Sequence, residues 1–154
     1  MEDTVLQERL LNAWIGLNGM LKTTRVTSQL TYNEAIVMKI VYDQFQEDGV
    51  GRTPVSRIVR ETNMLKSLMN RTVNSLCAQG YLRRERSAQD SRKLYVSPVE
   101  ERLPDFLAVH RRSLKLAQDI IAVVGEEDAA RFVAMYEKLS ASGLQLYSEK
   151  RNSG

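Results

Sequence analysis

Apolar residues at Leu6, Leu10, Trp14, Leu17 and Leu21 recur at helical spacing and predict a helix over residues 4–22 with one apolar stripe. Gly16 and Gly19 weaken that helix, so packing must hold it. Thr31 and Glu34 have the spacing of a capping box, in which each side chain satisfies a backbone donor left free at a helix start. The helix that follows offers Ala35, Ile36, Met38, Ile40 and Val41 for burial and is expected to end before Asp48 and Gly49. Thr53 offers an N-cap oxygen and Pro54 suits the first helical position, which predicts a short helix over 54–62 burying Val55, Ile58 and Val59. Asn63 tolerates a left-handed turn, and Met64 is expected to plug that turn into the core. A third helix is predicted over 65–79, with Leu65, Met69, Val73 and Leu76 on one side and Gly80 closing it. Two short helices joined by a tight turn form the skeleton of a helix-turn-helix.

The period then changes. Residues 81–86 and 93–97 alternate as strands, with Leu82 on one side of the first and Leu94 and Val96 facing inward from the second. Residues 87–92 between them are polar and turn-rich, and Pro98 stops the second strand, so the segment reads as a β-hairpin wing. A long helix is predicted over 103–124, with Pro104 in or near its first turn and Leu107, Leu114, Ala117, Ile120, Ile121 and Val124 available for burial. Gly125 ends it. Glu126, Glu127 and Asp128 complement the dipole of the next helix, whose apolar side carries Phe132, Tyr136, Leu139 and Leu146, and residues 151–154 read as a frayed tail. Long helices at both ends of a central module are hard to satisfy within one small subunit. They predict a homodimer.

With 154 residues, 43% of them hydrophobic and 27% charged, the chain fits one mainly α domain. In this reading a winged lobe over about 30–98 is carried on dimerisation helices over about 4–22 and 103–149. No apolar run approaches the roughly 20 residues needed to cross a bilayer, and the acidic, polar start is unlike a signal peptide, so a cytoplasmic protein is expected. A single cysteine, Cys77, and a single histidine, His110, leave little for metal chemistry. They read as a flank-packing thiol, with an oxidation switch conceivable, and a helix-surface imidazole. No phosphate loop, zinc spacing or nucleophile elbow is present in the sequence. No enzymatic activity, cofactor or metal is expected.

Charge sharpens the picture. Residues 52–95 hold ten Lys or Arg against three acids, about +7, while the whole chain carries +3. One basic face therefore stands on an acidic body. With Met69 at the buried centre of its helix, Ser67, Asn70, Arg71 and Asn74 project from the opposite side, and no acid lies between Lys66 and Gln79. An ordinary solvated face would more often mix Glu with Lys. Leu68 lies on the flank, where it could touch a thymine methyl or simply pack. Arg84, Arg86, Asp90, Arg92 and Lys93 join this face as candidate DNA-binding residues of the wing.

The order of elements, the segment from Leu76 to Leu82 with Gly80 and Tyr81, and the trio Asp90, Ser91, Arg92 resemble the multiple antibiotic resistance regulator (MarR) family of transcription factors. The resemblance implies that Arg92 reaches a minor groove, that Asp90 holds the wing in shape, and that Ser67, Asn70, Arg71 and Asn74 face the bases. An exposed ion pair between Asp90 and Arg92, worth ~0 to 1 kcal/mol, is the plainer reading of the trio. Three departures stand out. Leu65 replaces a polar helix cap, so that capping is expected to shift to Thr62 or Asn63, Asn63 replaces a glycine, and Ser97 and Pro98 end the second wing strand unusually.

The resemblance further implies a repressor that binds an inverted-repeat operator in double-stranded DNA. It also implies a small-molecule effector in a crevice beside the dimerising helices, for which Trp14, Met20 and Tyr32 are candidate lining residues if they are not core. A winged-helix module binding an acidic protein partner is the alternative.

Overall fold

The computed structural model describes residues 2–23 and 29–142, and the α1 side chains from residue 4 to 20. The chain divides into two compact units, Met1–Ser113 and Leu114–Gly154. In order, the elements are α1 (Glu2–Thr23), α2 (Tyr32–Asp48), β1 (Thr53–Pro54), α3 (Val55–Thr62), α4 (Lys66–Ala78), β2 (Leu82–Arg86), β3 (Leu94–Pro98), a 3-10 turn (Glu100–Arg102), α5 (Leu103–Val124) and α6 (Glu126–Ala141). The unit boundary falls inside α5.

In the first unit, the capping box forms as its spacing predicts: Glu34 donates its N–H to Thr31 Oγ1 at 3.3 Å, and Thr31 donates its own to Glu34 Oε2 at 2.9 Å. Gly49, at φ 72°, terminates α2 in a left-handed cap whose N–H reaches Phe45 O. Asp48 Oδ1 then accepts the N–H groups of Gly51 and Val50, each at 2.8 Å, and turns the chain toward β1. These bonds, Gly51's first, hold the Asp48 carboxyl below its ordinary range.

Thr53 does not cap α3. It pairs with Val96 in β1, fully buried, and its hydroxyl donates to Gly51 O at 3.0 Å, while Pro54 takes the N-cap position with no side-chain cap. A buried β-branched residue gains more from a ladder than from an exposed cap. The sheet is three-stranded and antiparallel, in the order β1-β3-β2, with Leu82 opposite Pro98, Arg84 opposite Val96 and Arg86 opposite Leu94.

Between α3 and α4, Asn63 adopts the expected left-handed conformation at φ 53°, and Met64 is buried beneath the turn. Thr62 serves the turn rather than the next helix: its Oγ1 donates to Ile58 O and accepts the Met64 N–H. Leu65 is the N-cap of α4, has no side-chain cap bond, and is 59% exposed instead of joining the core. It lies outside the helix, so the helical period does not apply to it. At the other end, Gly80 at φ 78° lets the Tyr81 N–H reach Leu76 O at 2.9 Å.

The core is built from Val37, Met38 and Val41 of α2, Ile58 of α3, Met69, Val73 and Leu76 of α4, and Val96 of β3. Phe106 and Val109 of α5 complete it, two residues the apolar pattern did not single out, whereas Ala35 and Ile36 are only partly buried. Each fully buried side chain of this size contributes about 1.5–3 kcal/mol over leaving it in water. His110 is no plain surface imidazole, since it is half-buried and stacks on Phe106 at 5.9 Å, with Tyr42 beside Phe106 at 5.5 Å.

The terminal apolar stripes behave differently. Leu6, Leu10, Trp14 and Leu17 of α1 are exposed in the single chain, and so are Leu114, Ile120, Ile121 and Val124 of α5. In α6, Phe132, Tyr136 and Leu139 are exposed too. Their periodicity is helical, as predicted, but among the described residues they stay exposed. The Leu21 side chain, Leu146, the end of the last predicted helix and residues 151–154 lie outside the described residues.

Candidate nucleic-acid interface

Burial of Met69, Thr72, Val73 and Leu76 fixes which side of α4 looks outward. Ser67, Asn70, Arg71 and Asn74 are all exposed on that outward side, with Lys66 exposed at its first position. Leu68 packs partly buried against the core, which favours its packing role. Along its flank α4 is tied to α2: Ser75 Oγ and Gln79 Nε2 donate to the buried Glu34 Oε1 at 2.6 and 3.1 Å. Sequence reasoning missed this second role of Glu34, because the capping box already accounted for it and its partners are 41 and 45 residues away.

Strand alternation divides the wing's charges between two faces. Arg84 and Arg86 share the face of Leu82, Val96 and Leu94, while Arg83 and Glu85 share that of Ser97 and Tyr95. On the latter face the Arg52 guanidinium lies 3.6 Å from the Tyr95 ring centre and its Nε donates to Glu85 Oε2 at 3.4 Å. Arg52 thus braces the root of the wing and pairs one of the segment's three acids. A second acid, Glu61, accepts from Arg57 Nε at 2.7 Å, and Arg57 also donates to Gln44 Oε1. The Glu61 bond, as the largest cause, holds the Arg57 guanidinium above its ordinary range.

The third acid shapes the wing tip. Asp90 Oδ1 accepts the Arg92 N–H at 3.0 Å, while the Asp90 carbonyl accepts the Lys93 N–H at 3.0 Å. Ser87 Oγ accepts the N–H groups of Gln89 and Asp90, and Arg86 Nη1 donates to Ser91 O at 2.9 Å across the turn. Among the described residues, no ion pair joins Asp90 to the Arg92 side chain. The carboxylate is spent on the backbone. Arg92 and Lys93 remain exposed, and, as with Lys66 and Arg71, no described carboxylate lies within ion-pair distance of them.

Cys77 is half-buried on α4, and burial pushes its thiol up in pKa, opposed by the nearby Arg84 charge. That environment favours the unreactive protonated form. Trp14, Met20 and Tyr32 are 54, 47 and 45% exposed, so none belongs to the core of the described residues. Among the described residues, no cluster of three His, Cys, Asp or Glu could hold a metal ion, and no helix is long and apolar enough to cross a membrane.

Residues 29–93, from the approach to α2 through the wing tip, match the MarR family model. No curated protein sequence matches the chain. Among solved structures the fold is similar to the transcriptional regulator BldR from Sulfolobus solfataricus, with a TM-score of 0.69 at 16% identity over 91% of this chain and 96% of that one. It is also similar to BpsR of Bordetella bronchiseptica, whose DNA binding is regulated by 6-hydroxynicotinic acid, with a TM-score of 0.66 at 16% identity over 91% and 99%. Reduced AbfR bound to DNA gives a TM-score of 0.67 at 16% identity over 94% and 98%. At such identities the likeness establishes the fold. The winged lobe over residues 29–93 is thus similar to the MarR family, and the fold of the chain is shared with these structures.

Proposed function

We propose that the protein is a homodimeric, sequence-specific DNA-binding repressor that occupies an inverted-repeat operator and leaves it when a small-molecule effector binds. The observation that carries this reading is the outward side of α4, exposed, polar and free of acids, on the same lobe as a wing tip whose cations have no described carboxylate partner. In this reading Arg71 pairs with a guanine edge and Asn70 or Asn74 with an adenine edge, while Ser67 and Lys66 sit at the helix start. Because Leu65 gives α4 no side-chain cap, the positive end of that helix is left for a phosphate. Arg84, Arg86 and Lys93 supply further phosphate contacts, and Arg92, aimed by the Asp90 turn, enters the minor groove.

The exposed apolar stripes of α1, α5 and α6 support a second copy as the dimerising partner, since large exposed apolar patches are rare on monomers. Twofold symmetry then places two recognition helices about 34 Å apart, one helical turn of DNA. An effector acts by preferring the dimer geometry that cannot span this distance, and Trp14, Met20 and Tyr32 are the residues we assign to its site. Such a protein works in the cytoplasm, beside its operator.

Selection from random duplexes tests the reading. A twofold repeat should emerge, sedimentation should return dimers at micromolar concentration, and log affinity should fall against log salt with a slope of about −5 to −7 if six to eight phosphates are contacted. Solitary subunits, or a flat salt response, would overturn it and turn attention to an acidic protein partner.

A further inference from the structure

Glu34 is 7% exposed and lies at the start of α2, yet two of its three side-chain hydrogen bonds come from α4 and its C-cap, Gln79. We propose that Glu34 is a positioning residue for the recognition helix: its carboxylate sets the roll of α4, and through it the aim of Asn70, Arg71 and Asn74. This rests on the DNA-binding reading above.

The apolar contacts of Met69, Val73 and Leu76 press α4 against the core, but they have no direction. They tolerate a roll or a slide. Among the described residues, every side-chain hydrogen bond from α4 and its C-cap to another element ends on Glu34, from Ser75 at 2.6 Å and Gln79 at 3.1 Å. Gln79 Nε2 also donates to Ser75 Oγ at 3.0 Å, so the two donors are locked to each other as well. Bonds to a buried carboxylate are charge-assisted, short and directional, which is what a roll angle requires.

Ser75 lies one helical turn beyond Arg71, about 40° around the axis from it at 100° per residue. The anchored flank therefore borders the outward face. A roll of about 10° moves an atom 5–6 Å from the helix axis by about 1 Å, enough to spoil a bidentate base contact. Glu34→Leu removes the acceptor of all three donors, so it costs stability as well as direction. Conformational specificity is what the charge adds here.

The same carboxylate accepts the Thr31 N–H at 2.9 Å, at the point where the chain enters α2. Glu34 thus joins the N-terminus of α2 to the last turn of α4.

The experiment compares affinity for a duplex that the wild-type protein selects from a random pool with affinity for an unrelated duplex of equal length. Glu34→Leu should leave the unrelated-duplex affinity and the salt slope unchanged, while the ratio of the two affinities falls about tenfold, the size of one spoiled base contact. Glu34→Gln should restore most of the ratio, because its carbonyl still accepts from Ser75. The double variant Ser75→Ala, Gln79→Ala leaves the capping box intact and should reproduce the loss in a chain that still folds, at a lower melting temperature because Glu34 Oε1 loses both donors. If that folded double variant keeps the wild-type ratio, or loses both affinities together, Glu34 is not a positioning residue. If the wild-type protein does not distinguish the two duplexes, the regulator reading itself falls and takes this proposal with it.

Discussion

The Asp90 carboxylate accepts the backbone N–H of Arg92 at 3.0 Å, two residues further along the same turn. The wing tip is therefore held by a side chain acting as a backbone acceptor, which leaves the Arg92 guanidinium outside any ion pair with Asp90. An acceptor is required, whereas a charge is not. Asp90→Asn should bind DNA like the wild type, Asp90→Ala should weaken binding, and Arg92→Ala should weaken it further across all sequences. Fluorescence anisotropy with the selected duplex separates the three, and equal losses in Asp90→Asn and Asp90→Ala would contradict the turn role.

Arg71 stands exposed at the middle of α4, where a planar fork can meet a guanine edge. Arg71→Ala should cost ~1 to 3 kcal/mol in binding and relax preference at one base pair per half-site, without changing preference elsewhere. Arg71→Lys should not restore that preference. Repeating the duplex selection with each variant reads this directly, and an unchanged selected motif would move the base contact to another residue.

Gly51 meets two constraints at once. Its φ of 74° lies in the left-handed region, and a Cβ there would sit 2.8 Å from Pro98 Cδ and 2.9 Å from Phe45 Cβ. Gly51→Ala should therefore destabilise the lobe by about 2 kcal/mol or more, combining backbone strain with a steric clash. Chemical denaturation checks it, and a loss below about 0.5 kcal/mol would mean that the β1 approach relaxes freely.

His110 links the aromatic trio to solution pH. Burial against Phe106 and Tyr42 lowers its pKa below the ordinary 6.5, with the Lys39 charge adding to the effect and Asp43 opposing it. The unfolded chain therefore binds the proton more readily than the folded one. Stability from this group is present above the ordinary histidine value and is lost as pH falls through the folded value. The melting temperature should decline as pH falls below the ordinary histidine value of 6.5, and His110→Gln should flatten that part of the profile. An identical slope in the variant would assign the decline to other groups.

Much of this molecule was legible in residue order because the signals are local. The capping box of Thr31 and Glu34, the left-handed Asn63, the buried row of Met69, Val73 and Leu76, and the outward Asn70, Arg71 and Asn74 all follow from interactions within about one turn of chain. Leu65 went astray by one residue, since a helix boundary decides whether the helical period applies. Thr53 went astray for a different reason. Its strand partner, Val96, is 43 positions away, and nothing near Thr53 announces that partner.

The amino-acid order by itself determined the succession of helices and hairpin, the turn chemistry between them, and the basic segment that the outward face of α4 and the wing share. Tertiary structure decided which oxygen Glu34 offers to α4, that Arg52 braces Tyr95 and Glu85, and that Asp90 spends its charge on the backbone. It also decided that the apolar stripes of α1, α5 and α6 stand exposed among the described residues. The physical reason is range: periodicity and capping are settled between near neighbours, whereas pairing and burial depend on which distant surfaces the folded backbone brings within a few ångströms.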